Sequence, residues 1–350
     1  MLYIWGMKKF KRNKAVGFFD EDFRLTKLTE LGDPLKRLSA GVDFEIFREV
    51  LTEKLHVQAK GKGGRKPYDY VLMFKVLILQ RYYNISDDQT EYQICDRLSF
   101  MRFLKLTLAD DVPDSKTIWL FRERLTDLGL VEILFELFIK KLSELNLVIH
   151  EGKIVDASFV EVPKQRNTRE ENKTIKEGGI PQQWNDNVNK LAQKDVDARW
   201  TKKNNVSYYG YKNHTKCDEK SKLITGYNIT SASVHDSQPT EELLTKEDEQ
   251  QPFYADSAYV GEALNKALVE NKKVIPQIIE KGFKNKPLTE EQIAGNKEKS
   301  KVRVRIEHIF GFIENSMNGS FIRCIGMTRA TAVIGLINLT YNMFRKIQIS

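Results

Sequence analysis

KIVDASFVEV, at residues 153–162, indicates both the type of fold and the place of its chemistry. Its β-branched and aromatic residues are typical of a strand, and Asp156 interrupts an otherwise apolar run. A carboxylate buried in such a strand carries a large desolvation cost unless a partner compensates it. A bound divalent cation is one such partner, so the run predicts a chemical role for Asp156.

Two further acids stand in runs of comparable character. Asp256 lies in the strand-like PFYADSAYVG, and Glu307 lies in the basic, helix-like KVRVRIEHIFGF. If the first and fourth predicted strands are neighbours, Asp156 and Asp256 converge at one sheet edge, and a helix packed on the sheet can deliver Glu307. Carboxylates are hard ligands that suit Mg²⁺, and two such ions about 4 Å apart make a phosphodiester-cleaving centre. We therefore predict that these three acids are catalytic and bind metal.

The predicted helix around Glu307 supports this prediction. Arg303 and Glu307 are four residues apart and share a helix face, so Arg303 is placed to orient the acid and to meet a phosphate. The alternative is a surface ion pair worth about 0.5 kcal/mol.

The composition and residue pattern of the chain divide it into three parts. Residues 1–43 form a basic N-terminal arm, and 44–146 are all-α with helix-turn-helix-like spacing, predicted to bind DNA or mediate dimerisation. The alternative for the helical part is a bundle whose basic residues are merely solvated. Residues 147–350 run β, insertion, β, β, α, β, α, β, basic loop, α, α, which is the order of a ribonuclease-H-like fold. The insertion, 161–204, is polar and predicted to be mobile, so the predicted class is α+β or α/β.

Composition points to a nucleic-acid partner. The net charge is +8 with a pI of about 9.1, and a basic balance favours a polyanion. The chain has three cysteines, Cys95, Cys217 and Cys324, which are far apart and form no CxxC pair. This pattern is typical of a protein in a reducing cytoplasm. The apolar run AVIGLINLTYNMF at 332–344 is too short to span a bilayer and predicts a buried helix.

Several motifs occur together in a recognisable order. They are IVDASFVE, YGYKNH, SVHD, YADSAYVG and R-x-R-I-E-H-x-F-G, preceded by the helical GRKPYDYVLMFKVLILQRYY and PDSKTIWLFRERL. In this order they resemble the DDE transposases of bacterial insertion sequences, and most closely the insertion-sequence-five family. The resemblance covers roughly residues 44–345. It implies that Asp156, Asp256 and Glu307 are the DDE triad.

The resemblance also implies cofactors and partners. Two Mg²⁺ ions, for which Mn²⁺ can substitute, would serve both hydrolysis at the element's 3′ ends and strand transfer to target DNA. Holding two DNA ends implies at least a homodimer. Two positions depart from the family's motif around the third acid, since Ser300 replaces a tyrosine and Glu314 replaces a lysine.

Six basic residues are predicted to contact DNA from their place in these motifs and helices: Arg303, Arg305, His308, Lys212, Lys116 and Lys301. Asp236 is a possible fourth carboxylate or a turn cap. Trp184 is a possible stacking partner for a base. Two rival functions remain, a ribonuclease-H-like nuclease without strand transfer and a catalytically inactive DNA-binding derivative.

Overall fold

The computed structural model describes residues 17–56 and 66–350. Within these ranges a helical region precedes the first strand. Its helices are α1 (Asp20–Glu30), α2 (Pro34–Gly41), α3 (Arg48–Leu55), α4 (Tyr70–Tyr83), α5 (Asp87–Asp96), α6 (Leu98–Leu104), α7 (Ser115–Asp127) and α8 (Leu130–Glu144). Ser86 and Asp114 cap α5 and α7, as their positions predict, because their side chains accept hydrogen bonds from backbone N–H groups in the first turn.

The N-terminal arm contains more structure than its basic composition indicates. Both α1 and α2 fall inside it, and Arg102 on α6 donates to the carboxylate of Asp33 at 2.5 Å. The basic cluster before Gly17 and the glycine-rich run at 57–65 lie outside the described residues.

The sheet brings distant strands together. Its strands are β1 (Lys153–Glu161), β2 (Arg199–Lys203), β3 (Val206–Asp218), β4 (Ile224–Ser231), β5 (Pro252–Ala255) and β6 (Ile275–Ile278). Their order is β2-β3-β1-β5-β6, with β4 also paired to β3. β1 is antiparallel to β3 and parallel to β5, which is parallel to β6. The predicted adjacency of the first and fourth strands, here β1 and β5, is confirmed.

The polar insertion has secondary structure of its own. It holds α9 (Arg169–Lys176), α10 (Gln182–Asn185), α11 (Val188–Leu191) and β2. Trp184 is fully buried, and its indole N–H donates to Glu171 at 2.6 Å. The suggestion that Trp184 is exposed for base stacking is therefore wrong, and the mobility of the insertion stays a prediction.

Four helices follow the β3–β4 hairpin: α12 (Thr240–Leu243), α13 (Glu262–Lys266), α14 (Glu290–Asn315) and α15 (Met327–Ile349). The basic loop was predicted to end at a helix beginning near Val302, but the chain is helical from Glu290. Thr289 and Gln292 form a capping box that starts α14 there, and this local signal was missed because the run is so strongly charged.

Helix α15 joins the two halves of the protein. It packs against α2, α4, α7, α8 and β4, so the helical region and one face of the sheet share a single apolar core. The predicted buried helix is confirmed, and its asparagines are satisfied. The side-chain amides of Asn338 and Asn213 hydrogen-bond to each other, while Asn342 bonds both backbone groups of Ile224. The predicted domain boundary at 146/147 stays a prediction.

No helix in the described part of the chain is long and apolar enough to cross a membrane.

Candidate active site

The strand register brings two of the predicted acids together. In the parallel pair β1–β5, Ile154 is opposite Tyr254. Side chains alternate along a strand, so Asp156 and Asp256, each two residues further on, lie side by side on the same face. Asp256 follows the last residue of β5, and its Oδ1 accepts from the backbone N–H of Ala258 at 2.8 Å.

Arg303 links this pair to the third acid. One guanidinium nitrogen, Nη1, donates to Oδ2 of Asp156 at 2.7 Å, and the other, Nη2, donates to Oε1 of Glu307 at 2.7 Å. The Nε atom of Arg303 is buried and has no hydrogen-bond partner among the described residues. Helix α14, packed against β1 and β5, therefore carries Arg303 to Asp156 and places Glu307 against the same guanidinium.

Burial dominates the electrostatics of Asp156. The residue is 8 % exposed, and desolvation raises the pKa of its carboxyl to about 6. The backbone N–H of Ala157 and the Arg303 guanidinium oppose this rise, whereas the charge of Asp256 adds to it. Three carboxylates, two of which share one arginine, leave negative charge that a cation would stabilise.

The three acids have the oxygen donors that a divalent metal prefers but are not clustered around one point. Within residues 17–56 and 66–350, no three His, Cys, Asp or Glu side chains are grouped closely enough to hold one ion. The carboxylates of Asp156 and Asp256 are the type of ligand that a hard cation prefers. Their negative charge would also favour the binding of a cation. The Glu307 side chain is 51 % exposed, and its carboxylate has Arg303 as its partner. The residue types therefore fit a divalent metal, which Asp156, Asp256 and Glu307 would hold.

Three predicted DNA contacts on α14 have other partners. Arg305 donates to Glu219 at 2.6 Å, and His308 Nδ1 lies 3.2 Å from the Lys222 ammonium. Lys301 is exposed and pairs with an acid one turn earlier on the helix. Of the basic residues on this helix, Arg303 reaches the predicted acids.

Lys212 lies on the face of the sheet opposite to Asp156. In the β1–β3 register Asp156 is opposite Thr215, whereas Lys212 is opposite Phe159. The Lys212 ammonium is buried, 2.7 Å from a carboxylate oxygen of Asp236. Lys212 therefore has Asp236 as its ion-pair partner, and its contact with DNA stays a prediction.

The sixth predicted contact, Lys116, is exposed on α7, beside the half-exposed Trp119.

Two features near the acids were not predicted. The Tyr259 hydroxyl is buried and without a hydrogen-bond partner in the described part of the chain, and burial, with the charges of Asp156 and nearby aspartates, raises its pKa well above the ordinary value. Phe159 and Tyr208 stack at 4.2 Å on a cavity of about 220 Å³ that Glu314 also lines. The aromatic pairing depends on register, for which the sequence carries no local signal.

Comparison with known proteins identifies the family. A family model described as Transposase domain (DUF772) matches residues 23–124, and a model described as Transposase DDE domain matches residues 149–343. A solved structure is also similar, a piggyBac transposase synaptic complex with hairpin DNA determined by cryo-EM. It is 12 % identical, the match covers 90 % of this chain and 75 % of that chain, and the TM-score is 0.46.

The family assignment depends on the two family models, which agree with the motif order and with the gathered acids. The second model alone spans more than half of the chain. The protein therefore belongs to the transposases with a DDE domain, metal-dependent enzymes that bind DNA and catalyse its cleavage and transfer.

Proposed function

We propose that Asp156, Asp256 and Glu307 are the catalytic carboxylates of this transposase and hold two Mg²⁺ ions. The observation that carries the proposal is the double hydrogen bond of Arg303, which connects Asp156 to Glu307 beside the position of Asp256. Each of these acids comes from a different element, so their convergence is a product of the fold. When bound, the metal would polarise the scissile phosphate and lower the pKa of the attacking hydroxyl.

The chain's own residues prepare this site. The β1–β5 ladder fixes the backbones of both aspartates, and the Ala157 and Ala258 N–H groups each orient one carboxylate oxygen. Arg303 neutralises part of the charge of Asp156 and Glu307. The fork geometry of its guanidinium would also suit a DNA phosphate at this site.

The proposed reaction has two steps of one type. Hydrolysis at the 3′ ends of the element's terminal inverted repeats frees a hydroxyl, and that hydroxyl then attacks target DNA. Both are displacements at phosphorus, so one set of carboxylates serves both. Holding two ends requires at least a homodimer, and the unpaired cysteines agree with a cytoplasmic site of action.

We also propose that the catalytic fold is ribonuclease-H-like. Without the insertion strand β2, the strand order is β4-β3-β1-β5-β6. The neighbours β4, β3 and β1 pair antiparallel, and β5 and β6 run parallel to β1. The support is this strand topology together with the alternation of helices and strands, in which α13 connects β5 to β6 and α14 follows β6.

Glu307→Gln provides the test, with Glu298→Gln as a matched control on the same helix, where Glu298 is exposed and bonds Lys301. Each protein is incubated with duplex DNA of the element's end and Mg²⁺, and nicking and duplex binding are measured separately. We expect Glu307→Gln to lose nicking by at least about 100-fold, since a ligand needed in the transition state is removed. Binding should be retained, and the control should cut normally. Equal nicking by wild type and Glu307→Gln would reject the assignment.

A further inference from the structure

A second cavity lies away from the acids, where the helical region meets the loop before α15. Its volume is about 120 Å³, enough for about four water molecules and therefore for one phosphate group. The end of α4, the start of α5, α7 and the segment preceding α15 form its walls. The lining includes three arginines and one acid, together with polar uncharged side chains: Arg81, Arg122, Arg323, Asp87, Gln80, Asn84 and Ser86.

Arg81 is the unusual member of this lining. The residue is 7 % exposed, and its Nε atom is buried without a hydrogen-bond partner among the described residues. Burial and, to a smaller extent, the nearby Arg122 lower the pKa of its guanidinium to about 10, against the opposing charge of Asp87. The group is still protonated at neutral pH, so the fold holds a buried cation with a free donor.

The acid in the cavity already has partners. Arg122 binds the Asp87 carboxylate with two hydrogen bonds, of 2.6 and 2.9 Å, and the Gln80 amide donates to it at 2.7 Å. Arg323, exposed at the rim, lies over the ring of Phe321. Three arginines against one aspartate leave the lining with two uncompensated positive charges.

The start of α5 adds to the attraction for an anion. Ser86 and Asp87 stand at the N-terminus of the ten-residue helix α5, where the helix dipole is positive. A buried cation, a free donor and a positive helix end together are the features of an oxyanion site.

We propose that this cavity binds a phosphate of the DNA backbone and anchors the duplex at a distance from the catalytic acids. The site is linked to β1 through defined contacts. The Asn84 amide donates to the carbonyl oxygens of Asn318 and Phe321, and Phe321 bridges to Glu161, the last residue of β1. Asp156 is five residues before that end, or roughly 17 Å along the strand. The bound phosphate is therefore outside the scissile position, several nucleotides along the DNA.

This inference rests on DNA as the ligand and not on the identity of the catalytic acids, so binding is measured without cleavage. The test compares wild type with Arg81→Met and Arg323→Met, and with Arg24→Met, which removes one exposed charge from α1. The probes are inorganic phosphate, followed by thermal unfolding, and a 30-base-pair duplex, titrated at several salt concentrations without divalent metal.

Arg81→Met should be at least as stable as wild type in phosphate-free buffer, because the substitution removes a buried charge that has no ligand. Phosphate should raise the Tm of wild type and of Arg24→Met but leave Arg81→Met unchanged. Duplex affinity should fall about tenfold in Arg81→Met, with the slope of log K against log salt reduced by about one. Arg323→Met should fold and weaken duplex binding in the same direction.

A lower Tm of Arg81→Met in phosphate-free buffer would mean that Arg81 is structural and would overturn the proposal. A phosphate effect on wild type with unchanged duplex affinity in both variants would identify a site for free phosphate and would equally overturn the DNA assignment. The two proposals can fail separately. If Glu307→Gln nicks normally while Arg81→Met weakens duplex binding, only the catalytic assignment is rejected. If Glu307→Gln loses nicking while Arg81→Met binds duplex normally, only the cavity assignment is rejected.

Discussion

Replacing Asp156 by asparagine should stabilise the metal-free protein at neutral pH. The fold raises the pKa of this carboxyl from its ordinary value of 3.8 to about 6. A pKa difference of that size corresponds to about 3 kcal/mol between the two protonation states. Asparagine is nearly isosteric and uncharged, so it removes the cost of holding a charge in this buried position.

The sign of the pH dependence follows from linkage. Because the folded state binds the proton more tightly than the unfolded state, the penalty is absent below the unfolded pKa, grows as pH rises toward the folded value and is complete above it. Relative to wild type, Asp156→Asn should gain about 1 kcal/mol at pH 4.5 and about 3 kcal/mol at pH 7.5. The free energy of unfolding is measured in urea with EDTA present.

Glu307→Gln serves as the control, because the Glu307 carboxylate is half exposed and its loss should change stability by less than about 1 kcal/mol. Adding Mg²⁺ should then stabilise wild type and leave Asp156→Asn unaffected. An Asp156→Asn variant that is less stable than wild type at pH 7.5, or a gain that is equal at both pH values, would refute the reasoning.

Three further substitutions test the fold around the site by urea unfolding. Lys216→Met leaves the buried carboxylate of Asp248, its partner at 2.6 Å, without a counter-charge. It should lower the free energy of unfolding by about 3–5 kcal/mol, and a loss below about 1 kcal/mol would contradict the burial of the pair. Gly210→Ala would place a Cβ 2.3 Å from a β1 carbonyl oxygen at a φ of +148°, with an expected loss of at least about 2 kcal/mol. Asn338→Leu leaves the Asn213 amide unpaired and should cost about 1–3 kcal/mol, whereas replacing both asparagines by leucine should recover part of that loss.

The glycine prediction has a matched control in α14. A Cβ added at Gly295 meets no atom within 4 Å, so Gly295→Ala should stabilise the helix by about 0.5–1 kcal/mol. A loss at both glycines would indicate that the cost at Gly210 is not steric.

The sequence predicted features whose signals are carried by neighbouring residues. The caps at Ser86 and Asp114, the strand around Asp156 and the buried helix at 332–344 each depend on a few adjacent side chains, and each is present. The adjacency of β1 and β5 followed from the order of elements, and the family resemblance drew on the same contiguous motifs.

Tertiary structure alone decided which distant side chains meet. The register that sets Asp156 beside Asp256 also turns Lys212 to the other face of the sheet, because side chains alternate along β3. The partners of Arg303, and the isolation of Arg81 in its cavity, depend on how α14 and α4 pack against elements far away in the chain. Contacts of this kind are set by the packing of whole elements, and no local stretch of residues encodes them.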